Sequence, residues 1–219
     1  MICLSACWPN IKNLVYNSFI RSKDTGQLSA SQRKGIIRLI YKGKGTRNNL
    51  KCWRPISLTN IDYRIYAKTL ANRLKYIVNK LINHDQNGYI KGRSPALILR
   101  TLDDIIEYTN YKNIPGTIIT LDYQKAYDTI SKEFMLHAFS KFGFGDNFIY
   151  WINIITANTT SCINYNGNLS NYFSLQRGIR QGCPLAPILF ILACEILSNK
   201  IRQSGQIKGI EYHVKSEVK

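Results

Sequence analysis

The stretch APILFILACEILSNKIRQ, which begins at Ala186, is apolar almost all the way round when wound into a helix. A helix without a polar stripe cannot lie on a surface, so it has to be covered on several sides, with a sheet as one of them. The chain is long enough for this, since 219 residues with 45% hydrophobic content can bury roughly 70% of the unfolded surface without staples. The same region is not a membrane span, because Pro184, Pro187 and Glu195 interrupt its apolar run. The opening MICLSACWPNIKNLVY has no basic segment leading into an unbroken apolar run, so it does not read as a signal peptide.

Local patterns predict the other elements. GIIRLIYKGKG reads as a strand entering a glycine-lysine turn. In TNIDYRIYAKTLANRLKYIVNKLI, the residues Ile65, Tyr66, Leu70, Leu74, Ile77, Val78 and Leu81 fall at helical spacing, with Lys68, Arg73, Lys75 and Lys80 on the other positions. Residues 83–95, NHDQNGYIKGRSP, read as a hinge, and Ser94 followed by Pro95 starts the next helix. Residues 117–123 are rich in β-branched side chains and follow Pro115-Gly116, so they predict a buried strand. Helices are expected over about residues 131–142 and 147–157, then a hairpin turning at Asn166-Gly167. The terminal GIEYHVKSEVK alternates like an edge strand and predicts self-association through that edge. This order predicts an α+β fold, a mostly antiparallel sheet with helices on one face. Residues 1–93 and 94–219 would form its two parts.

Thirty lysines and arginines face 13 acidic residues, a net charge of +17. Such an excess predicts a polyanionic partner, because each neutralised phosphate releases condensed counterions; a merely basic scaffold is the alternative. The six cysteines contain no C-x-x-C pair and no histidine at zinc-finger spacing. They read as reduced thiols of an intracellular protein, cytoplasmic or nuclear.

Chemistry is expected where TIITLDYQKAYDTI runs from its apolar residues into Asp122 and then Asp128. A carboxylate at the end of a buried strand needs compensation, either as a turn or helix cap or from a divalent cation. Asp128, just before TISKEF, reads as a cap for the following helix. Tyr127 is a core aromatic or lines a site.

Four segments carry a resemblance to a known family. LDYQKAYD resembles the L-D-x-x-K-A-F-D motif of reverse transcriptases of non-LTR (LINE-type) retrotransposons, and RGIRQGCPLAPILF resembles their glycine-containing palm motif. CWRPISLTNIDYRIYAKTLANRL resembles the R-P-I-S-L fingers segment, and DQNGYIKGRS resembles Q-x-G-F-x-x-G-R. The resemblance implies a right-hand polymerase, with an N-terminal extension and fingers over residues 1–93 and a partial palm over 94–219. It implies RNA-directed DNA synthesis by two-metal nucleotidyl transfer, using magnesium or manganese, an RNA template, a DNA primer and deoxynucleoside triphosphates. Asp122 and the Tyr123 carbonyl would be metal ligands, with Asp122 catalytic. Tyr127 would be the gate that excludes a ribose 2'-hydroxyl, and Gln181 and Gly182 would lie under the templating pair. Arg54, with Lys42 or Lys44, would meet the triphosphate, while Gly92, Arg93 and Arg180 would approach nucleic acid. The family's aspartate-pair motif is not among these residues, so the chain by itself is expected to be catalytically inactive; a nucleic-acid-binding remnant is the alternative function.

Overall fold

The computed structural model describes residues 2–211. The long helix α1 (Ile2–Thr25) ends at Gly26, and the short α2 (Ala30–Arg33) leads straight into β1 (Lys34–Tyr41). Ser29 and Gln32 close a reciprocal capping box on α2. After a glycine-rich tip and a short 3-10 turn, β2 (Trp53–Thr59) returns antiparallel to β1, pairing Gly35 with Thr59 and Tyr41 with Trp53. Pro55 sits in β2 without penalty because β2 is the sheet edge, where no further ladder needs its missing N–H.

Helix α3 (Ile61–Leu81) buries Tyr63, Tyr66, Ala67, Leu70, Ala71, Leu74 and Val78, a stripe at the spacing its sequence predicts. Next come α4 (Pro95–Lys112), α5 (Ala126–Thr129), α6 (Lys132–Lys141) and α7 (Asp146–Thr156). Ser94 caps α4 through its hydroxyl, with Pro95 in the first turn. β3 (Thr160–Tyr165) then lies parallel to β1. It turns through Asn166 and Gly167, both at positive φ, into β4 (Asn168–Leu169), and it also pairs with β5 (Phe173–Ser174). The sheet order is β2-β1-β3-β4, and every pairing but β1–β3 is antiparallel.

Helix α8 (Ala186–Arg202) closes the chain's described part and buries Ile188, Leu189, Ile191, Leu192 and even Glu195. The charge of Glu195 is met by Arg202, which also pairs with Asp85 at 2.7 Å. One apolar core joins α3, α6, α7 and α8, so it crosses the expected boundary at residue 93. No helix among the described residues is long and apolar enough to cross a membrane. Cys7, Cys52, Cys162, Cys183 and Cys194 are free thiols.

Two expectations need correction. Residues 117–123 form no strand and are exposed, with Ile119 at 78%. β-branched residues favour an extended backbone, but a strand exists only with a partner 4.7–4.9 Å away, and none of the described residues supplies one. The supposed hinge is instead fastened. The Arg93 guanidinium donates to the carbonyls of Asn79 (3.3 Å), Ile82 (3.1 Å), Gln86 (2.7 Å) and Asn83. Asn79 and the C-cap Ile82 close α3, Asn83 and Gln86 belong to the turn that follows, and an arginine is the one side chain with enough N–H groups for four. Arg93→Ala should therefore lower stability by about 2 kcal/mol, read from urea denaturation. The edge strand expected from Gly209 lies, beyond residue 211, outside the described residues.

Candidate active site

Three segments far apart in sequence meet beside the β2 edge. The Ser57 N–H of β2 donates to the Gln181 carbonyl at 2.8 Å, and Gly182 follows at φ +104°. A Cβ on Gly182 would stand 2.8 Å from the Ser57 carbonyl oxygen, so only glycine lets the loop lie this close. On its other side the loop grips α5. The Gly178 N–H donates to Ile130 (2.8 Å), and the Ile179 N–H donates to the Tyr127 carbonyl (2.7 Å). The Gln181 amide then donates to Asp128 Oδ2 at 3.1 Å.

That bond redefines Asp128. The cap of α6 is Ser131, whose hydroxyl accepts from the Phe134 N–H at 3.2 Å, so Asp128 is not the helix cap its position predicts. Burial raises the Asp128 carboxyl above the ordinary aspartate value, opposed by the Gln181 amide and by Lys125. The native state thus holds this proton more tightly than the unfolded chain. The group's contribution to stability is complete below the unfolded value of 3.8 and is lost as pH rises through the folded one. Asp128→Asn keeps an acceptor for Gln181 and removes the half-buried charge. The variant should gain on the wild type in melting temperature as pH rises from roughly 3 to 6; a variant less stable by the same margin at every pH would restore the capping role.

Asp122 is exposed on the unpaired segment, one residue ahead of Tyr123. The Tyr123 ring meets Phe190 of α8 edge-on at 5.6 Å, and Tyr127 meets the same ring at 5.5 Å. Burial, then the neighbouring Tyr89 hydroxyl, pushes the Tyr127 phenol up to about 12. Tyr127 is half-buried, against the core on one side and Tyr89 on the other. Tyr89 and Phe190 were invisible as site residues because the motif spacing says nothing of which loop or helix face meets Tyr127.

Arg180 is withdrawn from the surface. It is 5% exposed, its Nη1 donates to the carbonyls of Arg33 (3.1 Å) and Lys34 (3.3 Å), and its guanidinium stacks 3.9 Å from the Tyr63 ring centroid. Its aliphatic stem passes Gly35 of β1, where an added Cβ would stand in ordinary contact at 3.5 Å from Arg180 Cδ. Arg180 thus braces the loop from below, with its charge facing carbonyls and a ring. Arg93 is likewise committed to the end of α3. Gly92, at φ +85°, is exposed and has open space around it.

The cations expected at a triphosphate lie on the first hairpin. Arg54 is exposed on the sheet face that also carries Ile40 and Arg38, since Arg54 pairs with Ile40 and side chains alternate. Arg38 was not singled out from sequence, though the alternation of β1 contains it. At the tip, Gly43 and Gly45 adopt positive φ. Lys42 Nζ donates to the Lys51 carbonyl at 2.8 Å, while Lys44 has no partner among the described residues.

A family model described as reverse transcriptase (RNA-dependent DNA polymerase) matches residues 41–213. The chain belongs to that family. The transposon TX1 uncharacterized 149 kDa protein of Xenopus laevis is 30% identical over 170 residues, 78% of this chain and 13% of that protein. A retrovirus-related Pol polyprotein from the type-1 retrotransposable element R2 of Popillia japonica is 26% identical over 166 residues, 75% of this chain and 23% of that protein. The relatives are non-LTR retrotransposon proteins, which puts the chain among LINE-type reverse transcriptases. It spans less than a quarter of the length of these curated relatives. Among solved structures, apo telomerase from Candida tropicalis, truncated from its C-terminal domain, covers 88% of this chain and 44% of its own at 16% identity, with a TM-score of 0.51. That likeness carries the right-hand polymerase fold.

Reverse transcriptases generally use divalent metal ions. Among the described residues no group of three or more His, Cys, Asp or Glu could hold a metal ion. Asp122 and the Tyr123 carbonyl are hard oxygen donors of the right kind. A magnesium-type ion would need further oxygen donors beside these two.

Proposed function

We propose that this chain is the fingers and part of the palm of an RNA-directed DNA polymerase, acting on an RNA template, a DNA primer and deoxynucleoside triphosphates. The observation that carries the reading is the three-way clamp: β2 of the fingers motif, the Tyr127–Ile130 turn after Asp122, and the Gly178–Gly182 loop are hydrogen-bonded into one place. In this reading Asp122 and the Tyr123 carbonyl hold magnesium or manganese. The bound ion supplies charge neutralisation for in-line attack of a primer 3'-hydroxyl on the α-phosphate.

The remaining work falls to the chain's own groups. Arg54, with its planar fork, and Lys44, whose ammonium is the less engaged of the two candidate lysines, hold the triphosphate. Tyr127, wedged between Phe190 and Tyr89, is too firmly seated to yield to a ribose 2'-hydroxyl. Gln181 and Gly182 support the templating pair, and Gly92 lies near the template. Arg93 and Arg180 act as positioning residues, in place of the direct contacts expected of them. Exposed Leu97, Leu99, Ile118, Ile119 and Leu121 form the surface that further palm strands would cover. An intracellular setting accords with the free thiols.

The test is primer extension on an RNA/DNA hybrid. The isolated chain should bind the hybrid without extending the primer. Fusion to the aspartate-pair segment of the R2 relative should restore incorporation, and Asp122→Asn in that fusion should abolish it at unchanged melting temperature. Incorporation that survives Asp122→Asn would overturn the assignment.

A further inference from the structure

A cavity of about 540 Å³ opens between the C-terminal half of α1 and the turn into α2. Asn17, Arg21, Gln27 and Arg33 line it, and no Asp or Glu does. None of these four side chains has a hydrogen-bond partner among the described residues, and Arg33 Nε is fully buried without one. A guanidinium N–H withdrawn from water and left without an acceptor is rare in a folded protein, because the lost hydration is not replaced. Two guanidinium groups and two amides therefore line one space, Arg33 half-buried with its Nε orphaned and Asn17, Arg21 and Gln27 open to solvent.

The end of α1 would ordinarily oppose an anion here, since its last carbonyls carry partial negative charge. Among those carbonyls, that of Lys23 is satisfied, accepting from the Tyr150 hydroxyl of α7 (2.7 Å) and from the Gly26 N–H (3.4 Å). Asp62 accepts from Gln32 at 2.6 Å, and neither it nor Asp24 of α1 is part of the lining. At roughly 30 Å³ per water, the cavity has room for a phosphate together with an attached sugar.

We propose that this cleft binds a phosphate group, held by Arg21 and Arg33 through charge-assisted bonds and flanked by Asn17 and Gln27. It shares no residue with the region around Asp122, Tyr127 and Gln181, so it stands whether or not the polymerase reading does. The phosphate can be free, or belong to a nucleic-acid strand.

Thermal unfolding of the full chain, with inorganic phosphate replacing chloride at constant ionic strength, tests this. The midpoint should climb with phosphate. Arg21→Gln, an exposed position that should not disturb folding, should raise the half-saturating concentration about tenfold, as should Arg33→Gln, while Arg73→Gln on α3 should leave it unchanged. Competition identifies the source. An oligonucleotide that displaces phosphate only when 5'-phosphorylated marks a strand terminus, one that displaces it regardless marks the backbone, and displacement by neither marks free phosphate. No rise beyond that in chloride, or a rise that both Arg21→Gln and Arg33→Gln leave intact, overturns the proposal.

Discussion

Gly178→Ala is expected to lower stability by about 3 kcal/mol or more. The new Cβ would stand 2.6 Å from Asp128 Cα and 2.6 Å from the Tyr127 carbonyl oxygen, both backbone atoms that cannot swing aside. Relief requires the loop to lift, which breaks the Gly178–Ile130 and Ile179–Tyr127 bonds and releases Gln181 from Asp128. Gly143 supplies the control. It has the same φ of +78° but no atom within 4 Å of its would-be Cβ, so Gly143→Ala should lose only the backbone strain, about 1 kcal/mol. Urea denaturation of the two variants separates the effects. Equal losses would mean that the close packing of the loop against α5 contributes nothing.

Affinity for an RNA/DNA hybrid should fall by about a thousandfold between roughly 50 and 200 mM salt, as expected for six or so phosphate contacts. The net charge of +17 sets this scale, and the structure explains why so little of it is internally cancelled. The ion pairs seen among the described residues both involve Arg202. Lys44, Arg54 and Arg38 stay open to a polyanion, whereas Arg180 is buried and the half-buried Arg93 is engaged by four carbonyls. Fluorescence anisotropy of a labelled hybrid across a salt series reads the slope, and a flat line would remove the electrostatic basis for nucleic-acid binding. Arg54→Gln should make the slope shallower by about one unit; Arg180→Gln should instead lower stability, by leaving Tyr63 and two carbonyls without their partner.

Where the cause of a structure lay within a few residues, the sequence by itself determined it. The stripe of α3 and the cap of α4 follow from spacing and from Ser94-Pro95, and α8 was bound to be buried because it has no polar face. Asn166-Gly167 turned the β3–β4 hairpin because both adopt positive φ. The charge excess and four ordered motifs were likewise enough to reach the family. Only the tertiary structure decided what each charged or extended segment met. Residues 117–123 have strand-forming side chains, yet strand pairing is a contact between distant segments, and no described strand pairs with them. Arg93 and Arg180 were expected to approach nucleic acid, and the structure gives both of them backbone carbonyls; a guanidinium serves a carbonyl cluster and a phosphate with the same N–H fork, so spacing cannot tell which acceptor is near. Asp128 was misread for the same reason. Its true partner, Gln181, lies 53 residues away in sequence, brought to it by two glycines whose backbones pass within contact distance of α5 and β2.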